Sequence, residues 1–319
     1  MKRRGVILGV ALLAGLRHAS AQGRARRVGA LVVNQSTIGI LETVLRQKGW
    51  ILDQTLRIDA RVTRGDTGLT RTYARELIAS QPDALFAETN TSMAALHAER
   101  SGIATVFAMV SDPVGMGYVE RFARPGGNVT GFTPFEPTLG GKWVSLLKEA
   151  APNVSHLGIV YNPEPGNNSA AFRRSIDDVA GTSGIVSIAT PSGDSTGIDR
   201  LIRALADQAN SGLIFLPDAI TYAQRARITA LVAECRLPAV YPLRGFCEAG
   251  GLLSYGVKID KVIAGAASYV DRVLRGDKPA ELPVQGPTEF ELVVTQKTAQ
   301  QLGLRLPLSL LARADEVIG

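Results

Sequence analysis

The alternation of short apolar runs with longer amphipathic ones constrains this chain more than any other feature. RVGALVV is followed by IGILETVLRQKG, LRIDARV by LTRTYARELIAS, DALFAE by TSMAALHAERSG, and IATVFAMV by a glycine-rich stretch. After VTGF the rhythm resumes. GGKWVSLLKEA precedes HLGIVY, NSAAFRRSIDDVAG precedes IVSIA, and IDRLIRALADQAN precedes LIFLP, with AITYAQRARITALVAECR and LPAVYP behind it. Nearly continuous apolar strands separated by helices read as parallel sheets covered on both faces. About ten such strands are too many for one comfortable open sheet. The chain has 319 residues, and a domain takes roughly 100–200. The expectation is an α/β chain of two lobes, divided near residues 129–139.

The first residues, MKRRGVILGVALLAGLRHASAQ, belong to neither lobe. Lys2, Arg3 and Arg4 precede an uninterrupted apolar stretch over residues 5–16, and Ala19-Ser20-Ala21 supplies small residues for cleavage. This is the pattern of a secretory signal, too short to span a bilayer as a helix. Residues 1–21 are therefore expected to direct export and then be removed, leaving a periplasmic or secreted, soluble chain. The Arg3-Arg4 pair keeps a twin-arginine route open beside the general one. Residues 1–21 also carry Lys2, Arg3, Arg4 and Arg17 and no acid, so the formal charge of +6 falls to +2 without them. The basic excess belongs mostly to the export signal, and a nucleic-acid partner is not expected.

Cys235 and Cys247 could pair in an oxidising compartment or stay as two thiols, and their spacing does not decide between these. No Cys/His cluster has metal-ligand spacing, and neither a metal nor a cofactor is expected.

The glycine-rich stretch SDPVGMGYVERFARPGGNVTGF, residues 111–132, invites a nucleotide reading that its residues refuse. In Gly115-Met116-Gly117 the third glycine of a dinucleotide fingerprint is missing, and Pro113 interrupts the approach. Gly141-Lys142 has Glu136 at the first glycine position of a phosphate loop and Trp143 where a hydroxyl is needed. The alternative is structural. Asp112 caps a helix that starts at Pro113, and ARPGGN ends it and turns the chain toward the second lobe. Gly193-Asp194-Ser195-Thr196-Gly197 matches a nucleophile elbow, but His18, His97 and His156 all precede Ser195, whereas the triad order needs a later histidine. Thr196 and Asp199 fit a capping box instead. No catalytic residue is assigned.

Polar residues recur where strands end. Gln35 and Ser36 follow the first strand, Thr89, Asn90 and Thr91 the third, and Ser111 and Asp112 the fourth. In the second half Asn162 and Asn168 follow one strand and Asp218 another. Open α/β sheets bind ligands at these carboxyl ends, and helix starts attract carboxylates. Asp112 or Asp218 could accept an ammonium group, and Tyr161, Tyr222, Tyr255 and Phe246 are candidate stacking surfaces, although core packing suits Phe246 better.

The segment SDPVGMGYVERFARPGGNVTGF resembles a signature of an ABC-transporter substrate-binding family that includes binders of tryptophan, tyrosine and related amino acids. RARITALVAECRLPAVYPLRGFCEAGGLLSYG and PTEFELVVTQKTAQQLGLRLPLSLLARADEVI resemble two further parts of it, in the same order. The resemblance implies a type I periplasmic-binding-protein fold, with two Rossmann-like lobes and hinge crossovers. Residues 27–132 and 256–286 would form lobe one, and residues 133–255 and 287–319 lobe two. It places Ser111 and Asp112 on one wall of a cleft, with Asn162, Asp218, Ser254 and Tyr255 facing them; Tyr222 joins them as a stacking candidate. It departs from the family at Glu88-Thr89-Asn90-Thr91, where a Gly-Thr-Pro-like turn is usual, and this puts amino-acid specificity in question. The implied function is capture of a small carboxylate-bearing solute, an amino acid or an aromatic acid, for a membrane permease and its ATPase. An exported sensing module and, more remotely, a hydrolase using Ser195 are the alternatives.

Overall fold

The computed structural model describes residues 24–163, 169–191 and 195–319. The expected export signal and Asn168 lie outside them. The first part of the chain runs β1 (Arg26–Val32), α1 (Gln35–Gln47), β2 (Leu56–Val62), α2 (Thr67–Ala79), β3 (Ala84–Ala87), α3 (Asn90–Ala98), β4 (Thr105–Ala108) and β5 (Val129–Phe132). These strands form one parallel sheet in the order β2-β1-β3-β4-β5. Both faces are covered, as the apolar runs require. Val28, Ala30 and Val32 of β1 enter one core, and Leu31 enters the other.

The second part contains α4 (Leu139–Ala150), β6 (His156–Tyr161), α5 (Ser169–Thr182), β7 (Val186–Pro191), α6 (Ser195–Ala206), β8 (Ser211–Phe215), α7 (Ala219–Ala223), α8 (Arg225–Glu234), β9 (Ala239–Tyr241), α9 (Gly245–Glu248) and β10 (Leu253–Val257). The chain then returns as α10 (Ile259–Leu274), whose Ile263, Ala266, Ala267 and Val270 share a core with β1, β3 and β4 of the first sheet. It ends with β11 (Phe290–Thr295), α11 (Gln296–Gln301), α12 (Leu308–Ala312) and β12 (Glu316–Ile318). The second sheet has the order β12-β11-β10-β9-β8-β6-β7, parallel except that β11 runs against β10. Its β7-β6-β8-β9-β10 part repeats the order of the first sheet, so each lobe has its own switch point, β1/β3 and β6/β8.

Three segments cross between the sheets: the stretch after β5, the short link from β10 to α10, and residues 285–289. The first and third run side by side. Thr133 N–H donates to the Gln285 carbonyl at 2.9 Å, and Gln285 N–H donates to that of Gly131 at 3.0 Å. Lys258 N–H adds a 3.1 Å bond to the Glu289 carbonyl. The crossings leave from the carboxyl ends of β5 and β10, which are parallel to their neighbours β4 and β9. Both sheets therefore turn their carboxyl ends toward the crossings.

Two expectations are corrected. Residues 113–117 form a turn, not a helix: Asp112 Oδ1 accepts from Gly115 N–H at 2.8 Å, but Gly117 takes φ +72° and stops any helical continuation. ARPGGN therefore ends no helix; Arg121 and Arg124 form a short bridge, and the Phe122 carbonyl accepts from Val284 N–H at 2.8 Å. The run AITYAQRARITALVAECR is two helices, α7 and α8, separated at Gln224.

The glycines of GGKW serve helix packing. A Cβ on Gly140 would stand 2.5 Å from the Phe172 carbonyl oxygen, and one on Gly141 2.7 Å from Val179 Cγ2, so their absence lets α4 lie against α5. Among the described residues no helix is long and apolar enough to cross a membrane.

Candidate functional site

At the switch point of the first sheet, Asn34 caps α1, its Oδ1 accepting from Thr37 N–H at 3.3 Å and from the Ser36 hydroxyl. Gln35 and Ser36 are exposed at the start of that helix. Across the switch point, Glu88 at the end of β3 turns inward and is only 6% exposed. Its Oε2 accepts from Val33 N–H at 2.5 Å and its Oε1 from the Thr37 hydroxyl at 2.8 Å. Burial pushes the Glu88 carboxyl above its usual range, and these donors with Asn34 N–H pull the other way.

The next loops continue this wall. Thr89 caps α3 by accepting from Ser92 N–H at 3.3 Å. Asn90 Oδ1 accepts from Ser111 N–H at 3.0 Å and ties the β3 loop to the β4 loop. Met109, just before it, holds a left-handed φ of 55°, a conformation that a non-glycine side chain adopts rarely. Thr91 is exposed on the first turn of α3, and Asp112 is half-buried.

The second lobe repeats the arrangement. Asp218, at the end of the β8 loop, caps α7 with Oδ1, accepting from Ile220 N–H at 2.9 Å and Thr221 N–H at 3.0 Å. Its Oδ2 accepts from Asn162 Nδ2 at 3.0 Å, across the β6/β8 switch point. Tyr161, beside Asn162, accepts at its hydroxyl from Arg173 Nη1 at 3.0 Å, and that guanidinium lies 4.8 Å over the Tyr161 ring. Arg173 Nε is buried and has no hydrogen-bond partner among the described residues. Tyr222 is covered in the same manner by Arg225, 4.7 Å over its ring.

The structure thus brings Thr89, Asn90, Ser111 and Asp112 into adjoining loops beside Gln35 and Ser36, and places Asn162, Asp218 and Tyr222 on successive loops of the other lobe. Tyr255 sits at the crossing, half-buried, stacked with Phe290 at 6.0 Å and with Lys142 6.0 Å from its ring. Its carbonyl accepts from the buried Trp143 Nε1 at 2.6 Å. Ser254 is a correction. It alternates with Tyr255 along β10, so it points to the opposite face, where it is fully buried beside the Cys247 thiol. Phe246 is likewise core, stacked on Tyr241 at 4.7 Å.

Cys235 and Cys247 are both free thiols. His97 packs edge-on against Tyr118, and His156 opens β6. Among the described residues no group of three or more His, Cys, Asp or Glu could hold a metal ion. Glu88 and Thr37 stand among the polar strand ends in the sequence without a role of their own there, and Arg173 carries no signal. Glu88 had a signal, because it follows DALFA without a break and inherits the burial of that strand.

Two α/β lobes joined by three crossings, with polar loops at both sets of strand ends, define a periplasmic-binding-protein fold. The chain belongs to the ABC transporter substrate-binding protein family, whose model matches residues 33–318; this is a family of binding proteins and not of enzymes. Over 262 residues the chain is 22% identical to a tyrosine-binding protein of Clostridioides difficile, covering 82% of this chain and 74% of the relative. Its fold is similar to that of an ABC domain in complex with L-Trp from Streptococcus pneumonia, with TM-score 0.82, 23% identity, and coverage of 92% of this chain and 100% of the other. It is also similar to a conserved domain protein of Vibrio cholerae, with TM-score 0.80, 26% identity, and coverage of 92% and 99%. The family resemblance read from the signatures therefore holds, and the chain is the solute-binding component of an ABC transporter.

Proposed function

We propose that this chain, exported by residues 1–21, captures a small carboxylate-bearing solute of the amino-acid class between its lobes and delivers it to a membrane permease driven by an ATPase. The observation that carries this reading is the repeated switch-point arrangement. In each lobe an acid after the third strand of the β2-β1-β3-β4-β5 or β7-β6-β8-β9-β10 set reaches the loop after the first. In both lobes these loops lie at the carboxyl ends, which turn toward the crossings. Gln35, Ser36, Thr89, Asn90, Thr91, Ser111 and Asp112 would supply one wall, and Asn162, Asp218, Tyr222 and Tyr255 the other. Closure about the three crossings would bring the walls onto the solute, and bound solute would stabilise the closed state that the permease recognises. The tyrosine-binding and L-Trp-bound relatives support an aromatic amino acid within this class.

A thermal-shift panel on the chain from Gln22 tests the reading, with aromatic and branched-chain amino acids, aromatic acids, sugars and nucleotides. A solute at about a hundred times its Kd adds about 2.7 kcal/mol, a rise of several degrees for lobes of this size. A selective rise with one amino acid or aromatic acid is expected. A response confined to sugars or nucleotides would overturn the proposed solute class.

A further inference from the structure

Each sheet has two outer strands, and three of these four edges are blunted. β2 carries Arg57, Asp59 and Arg61, with Arg61 paired to Asp59 and, at 3.2 Å, to Glu76. β5 is covered by the returning chain: Thr130 Oγ1 donates to the Leu282 carbonyl at 2.6 Å, and the Gly131 carbonyl accepts from Gln285 N–H at 3.0 Å. β12 has only three residues, and its Glu316 is held by Arg244 at 2.8 Å. Charge, cover and shortness are what keep edge strands from pairing with other chains. β7, which holds in the second sheet the place that β2 holds in the first, has none of these. Its six residues, VSIATP, are uncharged, and Val186 and Ile188 stand 59% and 37% exposed.

The uncovered side chains have a cause one strand inward. Gly158 of β6 lies beside Ile188 in the parallel register, and Leu205 of α6 fills the space over it; a Cβ on Gly158 would stand 2.2 Å from Leu205 Cδ1. α6 therefore seats over β6 and leaves the same face of β7 open. The backbone of β7 is set for pairing as well. Val186 N–H points inward, to the Ser155 carbonyl at 2.9 Å, so Ser187 and Ala189 turn their N–H and carbonyl groups outward. Pro191 has no N–H and closes the row.

We propose that β7 pairs antiparallel with the β7 of a second copy of this chain, about a two-fold axis at Ile188. In this register Ser187 and Ala189 of one copy exchange N–H···O bonds with Ala189 and Ser187 of the other, and the two Ile188 side chains meet in the non-hydrogen-bonded pair between them. A second copy is the occupant because the edge is its own complement, as a two-fold interface requires. The strand has no charge to repel its image, and its outward groups are symmetric about Ile188. The helices on either side carry charges of both signs, Arg174 and Asp177 on α5 and Arg203 and Asp199 on α6. The pairing uses the second lobe alone and no residue of the crossings, so each copy keeps its lobe movement.

Sedimentation velocity of the chain from Gln22 over a concentration series is expected to show a monomer–dimer equilibrium. Ile188→Lys should abolish the dimer. Ala189→Pro should abolish it too, because it removes an outward N–H and no bond to β6. Leu308→Lys, at a leucine 83% exposed on α12, should leave the dimer intact. The register is read by oxidation in a Cys235→Ser background. Ile188→Cys should cross-link across the axis, where facing Cα atoms lie about 4.5 Å apart. Val186→Cys should not, its copies being roughly 13 Å apart along the strands. Circular dichroism shows whether each variant folds; should Ala189→Pro not fold, Ile188→Lys and the cross-link carry the test. A wild type monomeric at every concentration would overturn the proposal and leave the edge to a strand of a different protein. A dimer that survives Ile188→Lys, or that cross-links through Val186→Cys instead, would overturn it equally.

Discussion

Asn162 and Asp218, 56 residues apart in the chain, are joined by a 3.0 Å hydrogen bond across the switch point of the second sheet. The same carboxylate caps α7 through its other oxygen, so one side chain sets both the helix start and the position of the β6 loop. Asp218→Ala removes both contacts and is expected to cost about 1–3 kcal/mol. Asp218→Asn keeps a capping oxygen and should cost clearly less. Urea unfolding of the two variants measures the difference, and equal losses would show that the cap contributes nothing.

The Glu88 carboxyl carries a pH dependence with a definite sign. Burial raises its folded value above the usual carboxylate range, against the pull of Val33, Asn34 and Thr37. The folded state therefore holds this proton more tightly than the unfolded state does. The contribution of Glu88 is then greatest below the unfolded value near ~4.3, and it is lost as pH rises through the folded value. The midpoint of the wild type minus that of Glu88→Gln should fall from about pH 4 toward neutrality. A difference that does not change with pH would mean that this carboxyl has no raised value in the folded protein.

Packing of α4 on α5 depends on two missing side chains. Gly140→Ala would place a Cβ 2.5 Å from the Phe172 carbonyl oxygen, a backbone atom that cannot swing aside. It is expected to destabilise by about 1–3 kcal/mol. Gly39 lies within α1 with nothing near its Cβ position, so Gly39→Ala should stabilise by about 0.5–1 kcal/mol. Opposite signs in chemical denaturation would support the packing role, and matching signs would refute it.

The two thiols should differ in reactivity and not in pairing. Cys247 is buried, its Sγ donates to the Val293 carbonyl at 3.5 Å, and burial pushes its value up to about 11. Cys235 is half-buried at the end of α8, and burial raises its value as well. Maleimide should label Cys235 first in the native protein, and both only after unfolding. A protein that needs reduction before either thiol reacts in denaturant would carry a disulfide instead.

Much of the lobe architecture was legible because it is written in short-range patterns. A strand buried on both faces must be apolar at nearly every position, so RVGALVV, DALFAE and HLGIVY announce themselves. Asp218 was legible as a helix cap because capping acts over two or three residues. The same local reasoning failed at Asp112. Its side chain does bond three residues on, but a turn and a helix share that first bond, and only Gly117 in a left-handed conformation separates them. It failed again at Ser254, because the alternation along β10 shows which residues share a face and not which face meets the cleft.

The sequence by itself determined the strand and helix rhythm, the polar strand ends and the family signatures, since each depends on residues close together in the chain. Tertiary structure alone decided which of those strand ends meet. Sheet order sets β1 beside β3 and β6 beside β8, and so brings Thr37 to Glu88 and Asn162 to Asp218 over separations of 51 and 56 residues. It also decided that Glu88 is buried against the start of α1, where its carboxyl accepts from Val33 N–H and the Thr37 hydroxyl. A periodic pattern specifies which side of an element faces inward; only the packed sheet specifies what waits there.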